Sequence, residues 1–178
     1  KESNAVNVFL VGTGRVGGAL LQQLFEYIAR PFERKKHEIR IMGVANSRRM
    51  LFSDTGFHNG GWRGRLQDTG ESMDLDRYIS HMRKMNLSNC VFVDCTASDA
   101  VAGWYSEILK SGISVVAANK KANSGPYREY LELKDLASSN EVLYLYETNV
   151  CAGLPVISTI QDLVHIGDHI QKIEAVVS

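Results

Sequence analysis

Apolar and polar positions follow two alternating patterns along this chain. Short, almost wholly apolar runs, typical of parallel strands buried on both faces, alternate with longer stretches in which apolar residues recur at helical spacing. The apolar runs predict strands at 6–11, 39–45, 90–94, 114–118 and 142–146. The helical spacing predicts helices at 16–28, 75–85, 100–109 and 126–137. This alternation predicts an α/β fold with a doubly wound parallel sheet and right-handed crossovers.

Two further patterns complete this prediction. The first helix has an apolar stripe that we expect to pack on the sheet, formed by Val16, Ala19, Leu20, Leu24 and Ile28. The stretch 46–72 is rich in glycine and shows neither period, so we expect irregular structure there. Its aromatic residues Phe52, Phe57 and Trp62 argue against a linker, and long ordered loops of this kind are often functional.

The first strand runs directly into Gly12-Thr13-Gly14-Arg15-Val16-Gly17, which has the spacing Gly-x-Gly-x-x-Gly. Gly12 allows a sharp turn, Gly14 leaves room for a pyrophosphate, and Gly17 allows the helix to pack closely on the sheet. The unpaired N–H groups and positive dipole end of the helix face the same point. Glycines also cluster in ordinary turns, but the preceding strand and following helix favour a Rossmann-type dinucleotide site.

The second strand ends in Asn46-Ser47-Arg48-Arg49, without an acidic residue. NAD-specific sites usually present Asp or Glu there for the ribose hydroxyls, and a carboxylate would repel a 2′-phosphate. A guanidinium can instead make paired, charge-assisted hydrogen bonds to that phosphate. The sequence therefore favours NADP over NAD, with Asn46 and Arg48 as candidate contacts. The alternative is that the two arginines are solvated surface residues.

The ends of the next two strands offer further candidates. Thr96 and Ala97 are small enough to lie against the ribose and nicotinamide, whereas Ser98 or Asp99 could equally cap the next helix. Lys120 follows the fourth strand, where a lysine could contact a ribose or a substrate carboxylate, or could be a solvated loop residue.

The end of the fifth strand carries Glu147, followed by small and apolar residues at 150–154. A carboxylate directly after a buried strand needs a cation, hydrogen-bond donors or access to water. Backbone carbonyls of the following residues could be turned onto a hard cation. By itself this pattern leaves these possibilities open.

Composition limits the partners to expect. The 178 residues are 44% hydrophobic, enough for the core of one domain, or of one domain with the beginning of another. Twenty basic and twenty acidic residues cancel, so we expect neither a nucleic acid nor a membrane partner. The basic residues at 30–36 are typical of a solvated loop. Without a membrane-length apolar run or a signal-peptide pattern, we expect a cytoplasmic protein. The spacing of the cysteines and histidines does not match a zinc site or a disulfide pair, so we expect neither from them.

Three runs, in this order, closely resemble homoserine dehydrogenase. They are Val-Phe-Val-Asp-Cys-Thr-Ala-Ser at 91–98, Ala-Asn-Lys-Lys-Ala-Asn at 118–123 and Tyr-Glu-Thr-Asn-Val-Cys-Ala-Gly-Leu-Pro-Val-Ile at 146–157. Residues 46–48 and the insert at 50–75 resemble the form fused behind an aspartate kinase. The resemblance implies oxidation of L-homoserine, or reduction of L-aspartate 4-semialdehyde, with NADP(H), in the synthesis of threonine and methionine.

The resemblance also implies roles for individual residues. The cofactor contacts that it implies are Gly12, Gly14, Arg15, Val16, Gly17, Arg48, Thr96, Ala97 and Lys120. Lys120 is implied to lie near the substrate as well. A monovalent cation, sodium in the family, is implied at Glu147 and the backbones of Val150, Ala152 and Leu154, where Cys151 replaces the usual glycine.

By the same resemblance, 1–154 is a cofactor-binding domain and 155–178 connects it to a catalytic domain that this sequence lacks. The family's catalytic lysine and substrate-binding carboxylates lie in that further domain. We therefore expect this chain to contain no catalytic residue, and to bind NADP(H) without turnover, whereas the full-length enzyme is expected to be a homo-oligomer. Two alternatives stay open: a nucleotide-sensing module without chemistry, and another NADP-linked dehydrogenase.

Overall fold

The computed structural model describes residues 5–31, 37–58 and 60–175, which form a seven-stranded sheet flanked by helices. The strands are β1 Ala5–Val11, β2 Glu38–Ala45, β3 Arg49–Phe57, β4 Glu71–Ser72, β5 Cys90–Asp94, β6 Ser114–Ala117 and β7 Tyr144–Leu145. The helices are α1 Arg15–Ile28, α2 Trp62–Thr69, α3 Leu75–Lys84, α4 Asp99–Ala102, α5 Tyr105–Lys110, α6 Tyr127–Ser139 and α7 Val156–His165. The strand order is β4-β3-β2-β1-β5-β6-β7.

The parallel part of the sheet is centred on β1, which lies between β2 and β5. β6 and β7 extend it beyond β5 in the same direction. The chain therefore leaves β1 towards one edge of the sheet, through β2, and later returns to build the other edge. Ligands in such sheets bind outside the carboxyl ends of the strands at this switch point. The predicted Rossmann-type α/β fold is confirmed.

Both faces of β1 are buried, as its apolar run predicts. Phe9 and Val11 pack in a core cluster with residues of α3, α5 and α6. Val8 and Leu10 point the other way, into a cluster with residues of α1 and α2. Helices therefore cover both faces of the central strand, and the loops at its carboxyl end extend from the buried core.

The prediction of irregular structure at 46–72 is wrong. This insert contains β3, which pairs antiparallel with β2, then α2, then the short β4, which pairs antiparallel with β3. The hairpin begins at Asn46, whose side-chain oxygen accepts hydrogen bonds from the backbone N–H groups of Arg48 and Arg49, each at 2.8 Å. Trp62 and Leu66 are buried and attach α2 to the core. Glycine content alone obscured these elements.

The predicted apolar stripe of α1 is confirmed in part, because Leu20, Leu24 and Ile28 are partly buried and pack against the cluster that contains Val8 and Leu10. The most buried positions are Gly17, Gly18, Leu21 and Phe25, whereas Val16 is 58% exposed and Ala19 is exposed. The two glycines bring the start of the helix close to its neighbours, so Gly17 and Gly18 are buried there in place of Val16 and Ala19.

Two other predicted elements differ in extent. The helix at 100–109 is divided into α4 and α5. The fifth strand covers only Tyr144 and Leu145, and it lies at the edge of the sheet with Leu145 48% exposed. Glu147 therefore does not follow a buried strand.

Most of the loop predicted around the basic residues, 32–36, lies outside the described residues, while Arg30 is exposed. Within the described ranges, no helix has the length and hydrophobicity that a bilayer crossing requires.

Candidate functional site: a cleft at the carboxyl ends of the strands

The glycine turn after β1 is shaped by close backbone packing. Gly12 has φ +98°, and a Cβ there would lie 2.7 Å from the carbonyl carbon of Cys95. A Cβ on Gly17 would lie only 2.0 Å from the carbonyl oxygen of Gly12. Gly14 differs, because no atom lies within 4 Å of the position that its Cβ would take. Gly12 and Gly17 thus close the turn, while Gly14 leaves its outer surface open.

The first turn of α1 faces that open surface. Gly14 is the N-terminal cap and supplies no side-chain hydrogen bond, and the first turn contains no acidic residue. The unpaired N–H groups and the positive end of the helix dipole favour an anion there. Arg15 and Val16 are exposed at this end of the helix. The geometry fits a pyrophosphate resting against the turn.

Backbone hydrogen bonds bring four chain segments to the same edge of the sheet. The N–H of Gly12 donates to Ala45 at 2.8 Å, which ties the glycine turn to the end of β2. The N–H of Cys95 donates to Val11 at 2.9 Å, and the N–H of Ala118 donates to the carbonyl of Asp94 at 2.9 Å. The residues that follow β1, β2, β5 and β6 are therefore neighbours, as the predicted site requires.

A cleft of about 550 Å³ opens beside the glycine turn and the end of β2. It is lined by Thr13, Asn46, Arg48, Arg49, Trp62, Arg63, Leu66 and Gln67. None of these lining residues is acidic, and three are arginines, so the cleft attracts anions.

The two arginines of the sequence prediction have different environments. The guanidinium of Arg49 donates to the carbonyl oxygen of Gly70 at 2.7 Å, so this side chain fastens the insert. Arg48 is exposed in the cleft, and among the described residues its guanidinium forms no ion pair. Asn46 uses its side-chain oxygen to hold the hairpin turn that presents Arg48. Of these two guanidinium groups, only that of Arg49 makes a hydrogen bond within the described ranges, so Arg48 is the one available to an anion.

The other half of the site rests on a buried carboxylate, that of Asp94. It is fully buried and accepts hydrogen bonds from the Thr96 backbone N–H at 2.7 Å, the Tyr105 hydroxyl at 2.6 Å and the Asn119 side-chain amide at 2.9 Å. Burial, and then the neighbouring Asp94, raise the pKa of Tyr105 far above its usual range, so Tyr105 stays a donor. Such a carboxylate is stable when buried only because its oxygens are satisfied.

Asn119 connects the loops that follow β5 and β6. Its amide also donates to the carbonyl of Ser98 at 2.9 Å, and its oxygen accepts from the N–H of Lys121 at 3.1 Å. Sequence reasoning assigned no role to Asp94 or Asn119. The sequence does contain a sign of this contact: Asp94 is the last residue of one buried strand, and Asn119 follows the end of the neighbouring strand.

The predicted nicotinamide-side residues lie on these two loops. Thr96 is half-buried beside Gly12, and Ala97 is exposed. Ser98 accepts a hydrogen bond from the N–H of Val101 at 3.4 Å, so it caps α4. Lys120 is exposed, whereas Lys121 pairs with Asp99 at 3.2 Å. Thr96, Ala97 and Lys120 are thus presented by loops that Asp94 and Asn119 fix.

The thiol nearest the site is not activated. Burial, followed by the neighbouring Asp94, raises the pKa of Cys95 to about 11, so the thiol stays protonated at neutral pH. A cysteine nucleophile needs the opposite shift. Cys95 is therefore not an activated nucleophile.

Glu147 caps a helix in this structure. Its carboxylate accepts the backbone N–H groups of Ile157 at 2.8 Å and Ser158 at 2.9 Å, at the start of α7. Partial burial raises the pKa of Glu147, but the hydrogen bonds from α7 outweigh it and bring the pKa below its usual value. The turn between Glu147 and α7 includes Cys151 and Ala152, whose φ angles of +56° and +49° lie in the left-handed region. Within the described part of the chain, no three His, Cys, Asp or Glu side chains cluster as metal ligands.

The sheet order, the glycine turn and the basic cleft define a dinucleotide-binding domain of the Rossmann type. The chain belongs to the homoserine dehydrogenase family: a model of "Homoserine dehydrogenase, NAD binding domain" matches residues 12–147.

Relatives extend this family assignment over the whole chain. The "Bifunctional aspartokinase/homoserine dehydrogenase" of Haemophilus influenzae is 42% identical over 97% of this chain, which spans only 21% of that protein. The homoserine dehydrogenase of Saccharomyces cerevisiae is 32% identical over 99% of the chain, which spans 48% of it. A solved hyperthermophilic archaeal homoserine dehydrogenase mutant in complex with NADPH is 26% identical, with a TM-score of 0.71, over 90% of this chain and 50% of that one.

Proposed function

We propose that this chain is the NADP(H)-binding part of a homoserine dehydrogenase, which interconverts L-homoserine and L-aspartate 4-semialdehyde in threonine and methionine synthesis. The observation that carries the proposal is the continuity of the glycine turn with an arginine-lined cleft free of acidic residues. The structure of an archaeal relative "in complex with NADPH" supports the same cofactor class. When bound, the nicotinamide supplies the hydride chemistry.

Each part of the chain has a binding or positioning task in this proposal. The open surface at Gly14 and the N–H groups beyond it, with Arg15 and Val16 alongside, bind the pyrophosphate. Arg48 binds the 2′-phosphate with charge-assisted hydrogen bonds. Thr96 and Ala97 orient the nicotinamide end, and the exposed Lys120 reaches the cofactor or the substrate.

Residues 1–154 are proposed as the cofactor domain and 155–178 as the connection to the catalytic part of the parent enzyme. Exposed apolar residues of α7 and the segment after it, such as Val164 and Ile166, support a role in joining domains. Catalysis, oligomer formation and a cytoplasmic location belong to the whole enzyme in this proposal. Plant relatives, such as that of Zea mays, are described as chloroplastic.

We further propose a sodium site at Glu147 with the backbone carbonyls of Val150, Ala152 and Leu154. The fit is partial. The carboxylate oxygens already accept the N–H groups of Ile157 and Ser158, and the carbonyl of Leu154 accepts the N–H of Val156 at 2.9 Å. Hydrogen exchange at Ile157 and Ser158 tests the site in sodium chloride against tetramethylammonium chloride of equal ionic strength. We expect these two amides to exchange more slowly in sodium chloride, and we expect Glu147→Gln to abolish the difference between the two salts. Identical exchange rates of the unaltered chain in the two salts would contradict the site.

Calorimetric titration with NADP, NADPH and NAD tests the proposed cofactor. We expect NADP to bind more tightly than NAD. Arg48→Ala should weaken NADP by about 1.5–3 kcal/mol, the value of a hydrogen bond to a charged group, and leave NAD nearly unchanged. Arg77→Ala is a matched control, because Arg77 pairs with Glu71 outside the cleft. Equal affinities for NADP and NAD in the unaltered chain would contradict the proposal.

A further inference from the structure

The insert brings a third arginine to the cleft, one that the sequence pattern did not single out. Arg63 is the second residue of α2, and its neighbours Trp62 and Leu66 are buried in the cluster that contains Leu21 and Phe25 of α1. The helix that carries Arg63 and the helix that begins at the glycine turn therefore share one buried cluster. Its position relative to the cleft is fixed by the core.

Contacts of the guanidinium place Arg63 at the wall of the cleft next to α1. It lies over the ring of Trp62, 5.2 Å from the centroid, a cation–π contact. Its Nη2 atom is 3.0 Å from the position that a Cβ on Gly18 would occupy, so the absence of a side chain at Gly18 gives it room. Among the described residues no carboxylate pairs with it.

Arg63 and Arg48 thus approach one cleft from two different elements, the helix α2 and the β2–β3 turn. Both guanidinium groups lack an acidic partner in the described structure, whereas Arg49 is fastened to Gly70. A dianionic phosphate is the group that best satisfies two such planar cations. In the proposed binding mode, the 2′-phosphate of the adenosine ribose is the phosphate that reaches this side of the glycine turn.

We propose that Arg63 is a second specificity-determining residue of this site, which with Arg48 clamps the 2′-phosphate of NADP(H). The inference rests on the proposed function, which assigns Arg48 alone to the 2′-phosphate, and it adds a second arginine that binds the same group. The aromatic support of Trp62 holds the guanidinium in place, so little side-chain freedom is lost on binding.

Calorimetry with two cofactor fragments isolates the 2′-phosphate. Adenosine 2′,5′-bisphosphate carries it, and adenosine 5′-monophosphate does not. Arg63→Ala should weaken the bisphosphate about tenfold and change the monophosphate less than about twofold. Arg65→Ala is the matched control, because Arg65 is on the same helix but lies over Phe57, 5.1 Å from its ring centroid, and does not line the cleft. It should bind both fragments as the unaltered chain does.

Arg63→Gln keeps most of the side chain and serves as a second variant, with thermal denaturation as the check on folding. An unchanged bisphosphate affinity in both variants would overturn the inference, as would an equal loss for both fragments. If the unaltered chain discriminates and Arg48→Ala removes the preference while Arg63→Ala does not, only the role of Arg63 fails. If the unaltered chain binds the two fragments equally, the proposed NADP site itself fails.

Discussion

Replacing Asn119 with alanine tests whether the buried network positions the loops of the site. The side chain is 1% exposed, and its amide donates to the buried carboxylate of Asp94 at 2.9 Å. Loss of a hydrogen bond to a charged group costs about 1.5–3 kcal/mol. The neutral bonds to Ser98 and Lys121 contribute about 0.5–1.5 kcal/mol each. Water can enter the polar gap left by the side chain and replace some of these hydrogen bonds, so we expect the free energy of unfolding to fall by about 2–4 kcal/mol.

Urea denaturation at pH 7 measures this loss, and calorimetry with NADP measures its effect on the site. Binding should weaken as well, since Asn119 holds the loops that carry Thr96 and Lys120. Asn140→Ala is the control: Asn140 is half-buried and donates to Leu136 at 2.8 Å at the end of α6, away from the cleft. That variant should lose only about 1 kcal/mol and bind NADP normally. A loss below about 1 kcal/mol for Asn119→Ala, with unchanged affinity, would refute the positioning role.

Two further predictions concern the glycine turn and alkaline pH. Gly14→Ala should keep the stability of the chain but weaken NADP binding, because its Cβ would enter the open space proposed for the pyrophosphate. Gly17→Ala should lower both stability and NADP affinity, because its Cβ would lie 2.0 Å from the Gly12 carbonyl oxygen. Urea denaturation and calorimetry measure the two effects, and equal stability of the two variants would contradict this prediction. Burial raises the pKa of Cys95 to about 11 and that of Cys90 to about 12, so the folded chain holds these protons longer than the unfolded chain does. The stability that these protonated thiols contribute should be fully present below pH 9, the usual thiol pKa, and should be lost as the pH rises towards 11. Urea denaturation at several pH values measures this change, and a free energy of unfolding that rises over that range would contradict it.

Apolar runs made the parallel strands predictable, because a strand buried on both faces must be apolar throughout. The glycine turn was predictable too, since only glycine fits where Gly12 and Gly17 touch other backbone atoms. The burial of Gly17 and Gly18 in α1 was not predictable, because it depends on how closely the helix approaches its neighbours, and the spacing of apolar residues does not show that distance.

The insert and the buried network lay beyond sequence reasoning for a different reason. β3 is a strand because it pairs with β2. Glycines interrupt the alternation of apolar and polar residues in the insert, so that alternation did not predict the strand. Asp94 and Asn119 are 25 positions apart, and only the adjacency of β5 and β6 brings them within 2.9 Å. Arg63 likewise lines the cleft only because the insert forms α2, whose Trp62 and Leu66 share a buried cluster with residues of α1.

The location of the bound cofactor is the most direct test of the proposed function. A crystal structure of the chain with NADPH should show the pyrophosphate over the turn from Gly12 to Gly17 and the 2′-phosphate within hydrogen-bond distance of Arg48, about 3 Å. A cofactor bound elsewhere on the chain, or one whose 2′-phosphate points away from the arginine-lined cleft, would contradict it.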